Sequence, residues 1–71
     1  MTDTELLKKK INENGYKVSF IAEKLGLTIQ GFYNKINNKS GFYVTETAIL
    51  KELLNLSDQE YSDIFFDVRV E

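Results

Sequence analysis

The chain contains no cysteine, which excludes a disulfide framework and a thiolate zinc site. It contains no histidine either, so no nucleophile–imidazole pair can be built and the commonest zinc sites lack their ligands. An enzyme is therefore not expected, and neither is a cofactor, a metal or a small-molecule substrate. No run of apolar residues approaches the about 20 that a helix needs to cross a bilayer. The start Met1-Thr2-Asp3-Thr4-Glu5 has neither the basic opening nor the apolar core of a signal peptide. These absences predict a cytoplasmic protein with no membrane partner.

What remains is a chain of 71 residues, read as one domain over residues 1–71. It is 42% apolar and 28% charged, and it carries nine aromatic residues, a composition that favours a packed core over disorder. The net charge of −2 is unevenly spread. Residues 1–40 hold seven lysines against four acids, a balance of +3, whereas residues 41–71 hold Lys51 and Arg69 against seven acids, a balance of −5. A positive half is what a nucleic-acid contact requires, although so short a chain also reaches such a split by chance.

Hydrophobic spacing and capping residues predict five helices and no sheet. The first spans about Asp3 to Asn14, with Leu6, Leu7 and Ile11 turned inward and Gly15 as its left-handed stop. Tyr16 is expected to fold back on the core. The second runs from Val18 to Leu25, with Ile21, Ala22 and Leu25 on its apolar face and Phe20 either on the core rim or exposed. The third runs from Thr28 to Asn37, with Phe32 and Ile36 inward. Phe42 and Val44 are expected to pack just before a fourth helix that begins at Thr45 and buries Ile49, Leu50, Leu53 and Leu54. Ser57-Asp58-Gln59-Glu60 is a capping box that starts a fifth helix, on which Tyr61, Ile64 and Phe65 share a face.

The second and third helices lie only a short turn apart. A small residue, Ala22, lets two helices cross closely, Gly26 allows the positive φ of a tight reversal, and Leu27 plugs the gap between them. This is the pattern of a helix-turn-helix, whose second helix enters a DNA major groove. The set Ile21-Ala22, Leu25-Gly26-Leu27, Phe32 and Ile36 resembles the Cro/CI-type (XRE-like, lambda-repressor-like) DNA-binding domains. It looks most like the Cro-sized bacteriophage repressors of Gram-positive hosts. The likeness is specific over residues 18–37 and looser over residues 3–66, and Lys35 stands where many relatives carry an aliphatic residue. The resemblance implies an all-α, five-helix lambda-repressor-like bundle with a central helix-turn-helix, acting on operator DNA in a bacterial cell. It also implies base readers at Ile29, Gln30, Tyr33 and Asn34.

The residues themselves point the same way. Gln30 and Asn34 can each bond an adenine edge bidentately, and Ile29 or the Thr28 methyl can meet a thymine methyl. Gly31 is unfavourable in a helix interior and suggests a close approach, of DNA or of the neighbouring helix. Polar residues on any amphipathic surface helix look similar. For phosphate contacts the candidates are Lys17 and Ser19 at the start of the second helix, where free amides attract anions. Lys35, Asn38, Lys39 and Ser40 are the candidates at and beyond the end of the third helix. The segment 37–41 offers small polar residues and free amides, and reads equally as a plain connector. One of Lys8, Lys9 and Lys10 could touch a phosphate, the blander reading being a solvated face.

The tail, residues 66–71, alternates apolar with charged residues as a half-buried strand does. With no partner strand evident in the chain, Phe66, Val68 and Val70 are read as a shared face of a homodimer, against the competing reading of a frayed end. Two functions follow. One is a sequence-specific transcriptional repressor of Cro/CI type, without a second domain for ligand sensing. The alternative is a protein-interaction module, antirepressor-like or antitoxin-like, using the acidic half and the aromatics Tyr33, Tyr43 and Tyr61.

Overall fold

The computed structural model describes residues 1–66, and among them five helices follow in chain order. These are α1 (Thr4–Asn14), α2 (Val18–Leu25), α3 (Ile29–Ile36), α4 (Val44–Leu53) and α5 (Asp58–Ile64). The fold is all-α, as the sequence pattern requires. Val68 and Val70, two of the three residues read as a dimer face, lie outside the described residues.

Local chemistry sets each boundary. The Asp3 carboxylate caps α1 by accepting from the Leu6 amide at 3.1 Å, and Gly15, at φ 72°, closes it. At the end of α2, Gly26 adopts φ 72°, its amide donates to the Glu23 carbonyl at 3.0 Å, and the Leu27 amide donates to Ala22 at 2.9 Å. That pair of bonds is a Schellman closure, and it lets the chain turn within Gly26, Leu27 and Thr28 before α3 begins. The Ser57 hydroxyl accepts from the Glu60 amide at 3.1 Å while Glu60 accepts from the Ser57 amide at 2.9 Å, the reciprocal box that opens α5. α4 starts at Val44, one residue earlier than expected, because Glu46 reaches back to accept from the Tyr43 amide at 2.9 Å.

The core gathers Leu7 and Ile11 from α1, Ile21, Ala22 and Leu25 from α2, Phe32 and Ile36 from α3, Leu50 from α4 and Ile64 from α5, with Phe42, Leu54, Leu56 and Phe65 from the connections. Burial of each large side chain contributes about 1.5–3 kcal/mol, and together they hold α2 against α3 and α4, and α1 against α5. Several expected positions move. Ile49 and Val44 are exposed, and Leu53 and Leu6 are only half-buried. The inward line of α4 runs instead through Glu46, Thr47, Leu50 and Leu54. Its two polar members are inside because they are partnered: the Thr47 hydroxyl lies 2.9 Å from the Val44 carbonyl and 2.7 Å from the Tyr61 hydroxyl. Tyr61 is thus half-buried scaffold rather than an exposed partner surface. Tyr16 does not fold onto the core but stacks on Phe20 at 5.3 Å, and both stay exposed. Phe65 is buried but sits in extended backbone just after α5, edge-on to Phe42 at 5.6 Å.

Phe66 has an internal partner, contrary to the expectation of a lone strand. Its amide donates to the Met1 carbonyl at 3.0 Å, Asp3 donates to the Ile64 carbonyl at 2.8 Å, and Thr2 faces Phe65 in an isolated antiparallel bridge. The amino-terminal residues therefore cover the start of the segment read as a free edge.

Two ion pairs cross between the positive and negative halves of the chain, Lys10 with Glu60 and Lys35 with Glu46. Part of the charge asymmetry is thus spent inside the fold. The Lys10 ammonium, followed by the Ser57 backbone, holds the Glu60 carboxyl below its ordinary value of 4.5, and Lys51 does the same for Asp58. A lowered carboxylate stabilises the fold above its unfolded-state value and loses that contribution as pH falls through the folded-state value. Thermal melting should therefore fall between about pH 5 and pH 3 more steeply in the native chain than in Glu60→Gln, which keeps the capping acceptor but not the charge. Superimposable melting curves across that range would show that the pair carries no stability.

Candidate nucleic-acid interface

The turn at Gly26 and the cap at Thr28 decide which way α3 faces. The Thr28 hydroxyl accepts from the Gly31 amide at 3.0 Å, fixing the first turn of the helix. Phe32 and Ile36, fully buried, hold one side of α3 in the core beside Ile21, Ala22 and Leu25, with Leu27 half-buried in the turn. The opposite side then presents Thr28, Ile29, Gln30 and Tyr33, all exposed, with Asn34 half-buried beside them. All five candidate base readers thus share one face of the chain.

Their hydrogen bonding is more specific than the sequence indicates. Gln30 Nε2 donates to Asn34 Oδ1 at 3.0 Å, so the two amides are one unit. Gln30 keeps its own oxygen as an acceptor and Asn34 keeps its amino group as a donor. An adjacent acceptor and donor match the N6 amino group and N7 of adenine in the major groove, but the pair supplies one such edge, not two. Gly31 is close to neither a neighbouring helix nor another backbone segment. A Cβ there would stand 3.1 Å from Thr28 Oγ1, so the residue makes room for its own cap.

The expected phosphate contacts divide. Lys17 and Ser19 are exposed at the start of α2, where Lys17 provides no side-chain cap and the first-turn amides have no carbonyl of their own helix to bond. Lys39 is exposed and Ser40 half-buried. The loop amides, however, are committed: Asn37 donates to Tyr33, Asn38 to Lys35, and both Lys39 and Ser40 to the Asn34 carbonyl, at 2.8–3.2 Å. From Asn37 to Ser40 the segment offers side chains to an anion, not backbone.

Lys35 and Asn38, read as phosphate contacts, have their side-chain groups engaged within the chain. Lys35 is buried, its ammonium 2.7 Å from Glu46 Oε1 and 4.6 Å from the centre of the Tyr43 ring. It occupies an inward position on α3. Asn38, at φ 63°, turns its amide group onto the chain start, accepting from the Thr2 amide at 2.8 Å and donating to the Thr2 carbonyl at 2.9 Å. Both side chains position α3 and the turn after it. No local sequence signal announces either, because their partners lie 11 and 36 residues away.

Of the α1 lysines, Lys10 is taken by Glu60 and Glu13, while Lys8 lines an open cavity of about 270 Å³ together with Ile11, Asn12, Val18, Tyr33 and Ile36. Lys8 therefore stands beside the exposed face of α3. Lys8, Lys9, Lys17, Lys24 and Lys39 form no ion pair among the described residues, and all belong to the half of the chain that carries α3. Among the described residues no cluster of acidic side chains is arranged to hold a metal, and no helix is long and apolar enough to cross a membrane. No known protein family model matches the chain, and no curated protein or solved structure matches it either.

Proposed function

We propose that this chain is a sequence-specific DNA-binding transcriptional repressor of the Cro/CI type that reads the operator major groove with α3. The observation that carries the reading is the exposed face of α3, where Thr28, Ile29 and Tyr33 flank the bonded Gln30–Asn34 pair. Lys17, Ser19, Lys39 and Ser40 stand before and after this face as backbone contacts that set register without reading sequence. Repression then arises from occupancy of the operator, in competition with polymerase or another regulator, in the cytoplasm of a bacterial cell. A homodimer would read a palindrome with half-sites about 34 Å apart.

Because Gln30 and Asn34 share a hydrogen bond, Gln30→Ala and Asn34→Ala should relax specificity at the same base pair, each by about 1–3 kcal/mol. Lys39→Ala should weaken binding to all sequences alike and reduce the salt slope by about one. Base preferences left unchanged by Gln30→Ala would contradict the assignment of the reading face.

A second reading, a protein-interaction module of antirepressor or antitoxin type, is favoured by a specific observation. Ile29 and Tyr33 are exposed apolar groups on α3, and Lys35, Asn38 and the amides of Asn37 to Ser40 are bonded within the chain. On that reading the same α3 face docks a protein, binding is insensitive to Lys39, and Ile29→Ala and Tyr33→Ala are the damaging substitutions.

A further inference from the structure

Apart from the α3 face, the chain leaves two aromatic rings in the open. Tyr16, in the connection after Gly15, and Phe20, on α2, stack with ring centres 5.3 Å apart and planes inclined by 25°. Each is 37% exposed, and neither belongs to the core. The Lys24 ammonium lies 5.3 Å from the centre of the Phe20 ring, so the two rings and the cation are joined by direct contacts into one patch. Lys17, exposed, follows Tyr16 in the chain and starts the same helix. The order Lys17, Phe20, Lys24 has helical spacing, which brings all three to one side of α2. Neither lysine is ion-paired among the described residues, and Glu23, the one acid of α2, pairs with neither.

A ring face flanked by cations selects a ligand that carries a flat π-system and an anion together. A nucleotide repeats that combination at every step of a strand: the base stacks on an aromatic side chain and the phosphate meets a lysine. A duplex cannot use the patch in this way, because its bases already stack on one another and turn only their edges outward. We propose that the Tyr16–Phe20 pair is a stacking platform for single-stranded nucleic acid, with Lys17 and Lys24 holding the flanking phosphates. The platform reads no sequence, since every base has a π-face. It does not rest on duplex reading by α3, and a chain that ignored duplex DNA would still possess it.

Fluorescence anisotropy of a labelled oligothymidylate of about eight nucleotides, within the usual site size of a single-strand binder, tests the proposal at low salt. The native chain should bind it, and should bind an abasic oligomer of the same length and charge roughly tenfold more weakly. Tyr16→Leu and Phe20→Leu, both at exposed positions, should each weaken binding of the oligothymidylate roughly tenfold, whereas Tyr16→Phe should bind as the native chain does. Lys24→Gln should reduce the salt slope by about 0.7, the share of one single-strand phosphate, and leave duplex binding unchanged. No binding at low salt overturns the proposal. Equal binding of the abasic oligomer, or indifference to both leucine variants, overturns it too, because the contact would then be with charge alone.

Discussion

Lys35→Met should remove about 3–5 kcal/mol of stability, the loss expected when one member of a buried ion pair is left alone. Both side chains are about a tenth exposed, and Glu46 would remain with its charge desolvated in the core. A domain of this length is stabilised by about 4–11 kcal/mol in total, so the variant should be close to unfolded at physiological temperature. The combined variant Lys35→Met/Glu46→Gln should recover most of the loss. It removes both charges together, and the Gln oxygen still accepts from the Tyr43 amide that starts α4. Denaturant unfolding of the two variants separates this account from the one the sequence alone suggests. If Lys35 were a phosphate contact, Lys35→Met would leave the unfolding midpoint unchanged and lower only DNA affinity.

Phe32→Ala should cost about 3–5 kcal/mol, whereas Tyr33→Ala, one residue along the same helix, should change stability by less than about 0.5 kcal/mol. Phe32 is fully buried and meets Phe42 edge-on at 6.2 Å. Phe42 in turn meets Phe65, and Phe65 lies 5.4 Å from Tyr61, so the Phe32 ring is the α3 end of an aromatic chain that reaches α5. Its removal leaves a cavity in the core, and the lost edge-to-face contact adds to the transfer term. Tyr33 is exposed and contributes to the outer face of α3. Equal destabilisation by the two substitutions would mean that α3 does not sit with Phe32 inward and Tyr33 outward, and the proposed reading face would fall with it.

How far the sequence foretold the structure depends on the range of the interactions involved. Helix ends set by neighbours in sequence were legible: Asp3, Gly15, Gly26, Thr28 and the Ser57–Glu60 box each act within a few residues and stand where their chemistry predicts. The outward set on α3 was legible for the same reason, since Phe32 and Ile36 fix its inward side by spacing alone. The internal partners of Lys35 and Asn38 were not legible, because a charged or polar residue near a helix end looks alike whether it faces water or a distant partner. Glu46 and Thr47 were missed on the same ground, and their burial turned Ile49 outward against the expectation of an apolar stripe. The pairing of Met1 with Phe66 spans nearly the whole chain and has no local signature. The Gln30–Asn34 bond is an exception, because i,i+4 spacing on a helix does permit it to be anticipated.

The central claim is that α3 reads DNA, and selection of duplexes from a random pool, with the winners rebound at two salt concentrations, tests it most directly. The account predicts enrichment of a defined motif containing an adenine opposite the Gln30–Asn34 pair, with affinity falling as salt rises through release of phosphate counterions. No enrichment, and no binding that responds to salt, would contradict it and assign the α3 face to a protein partner.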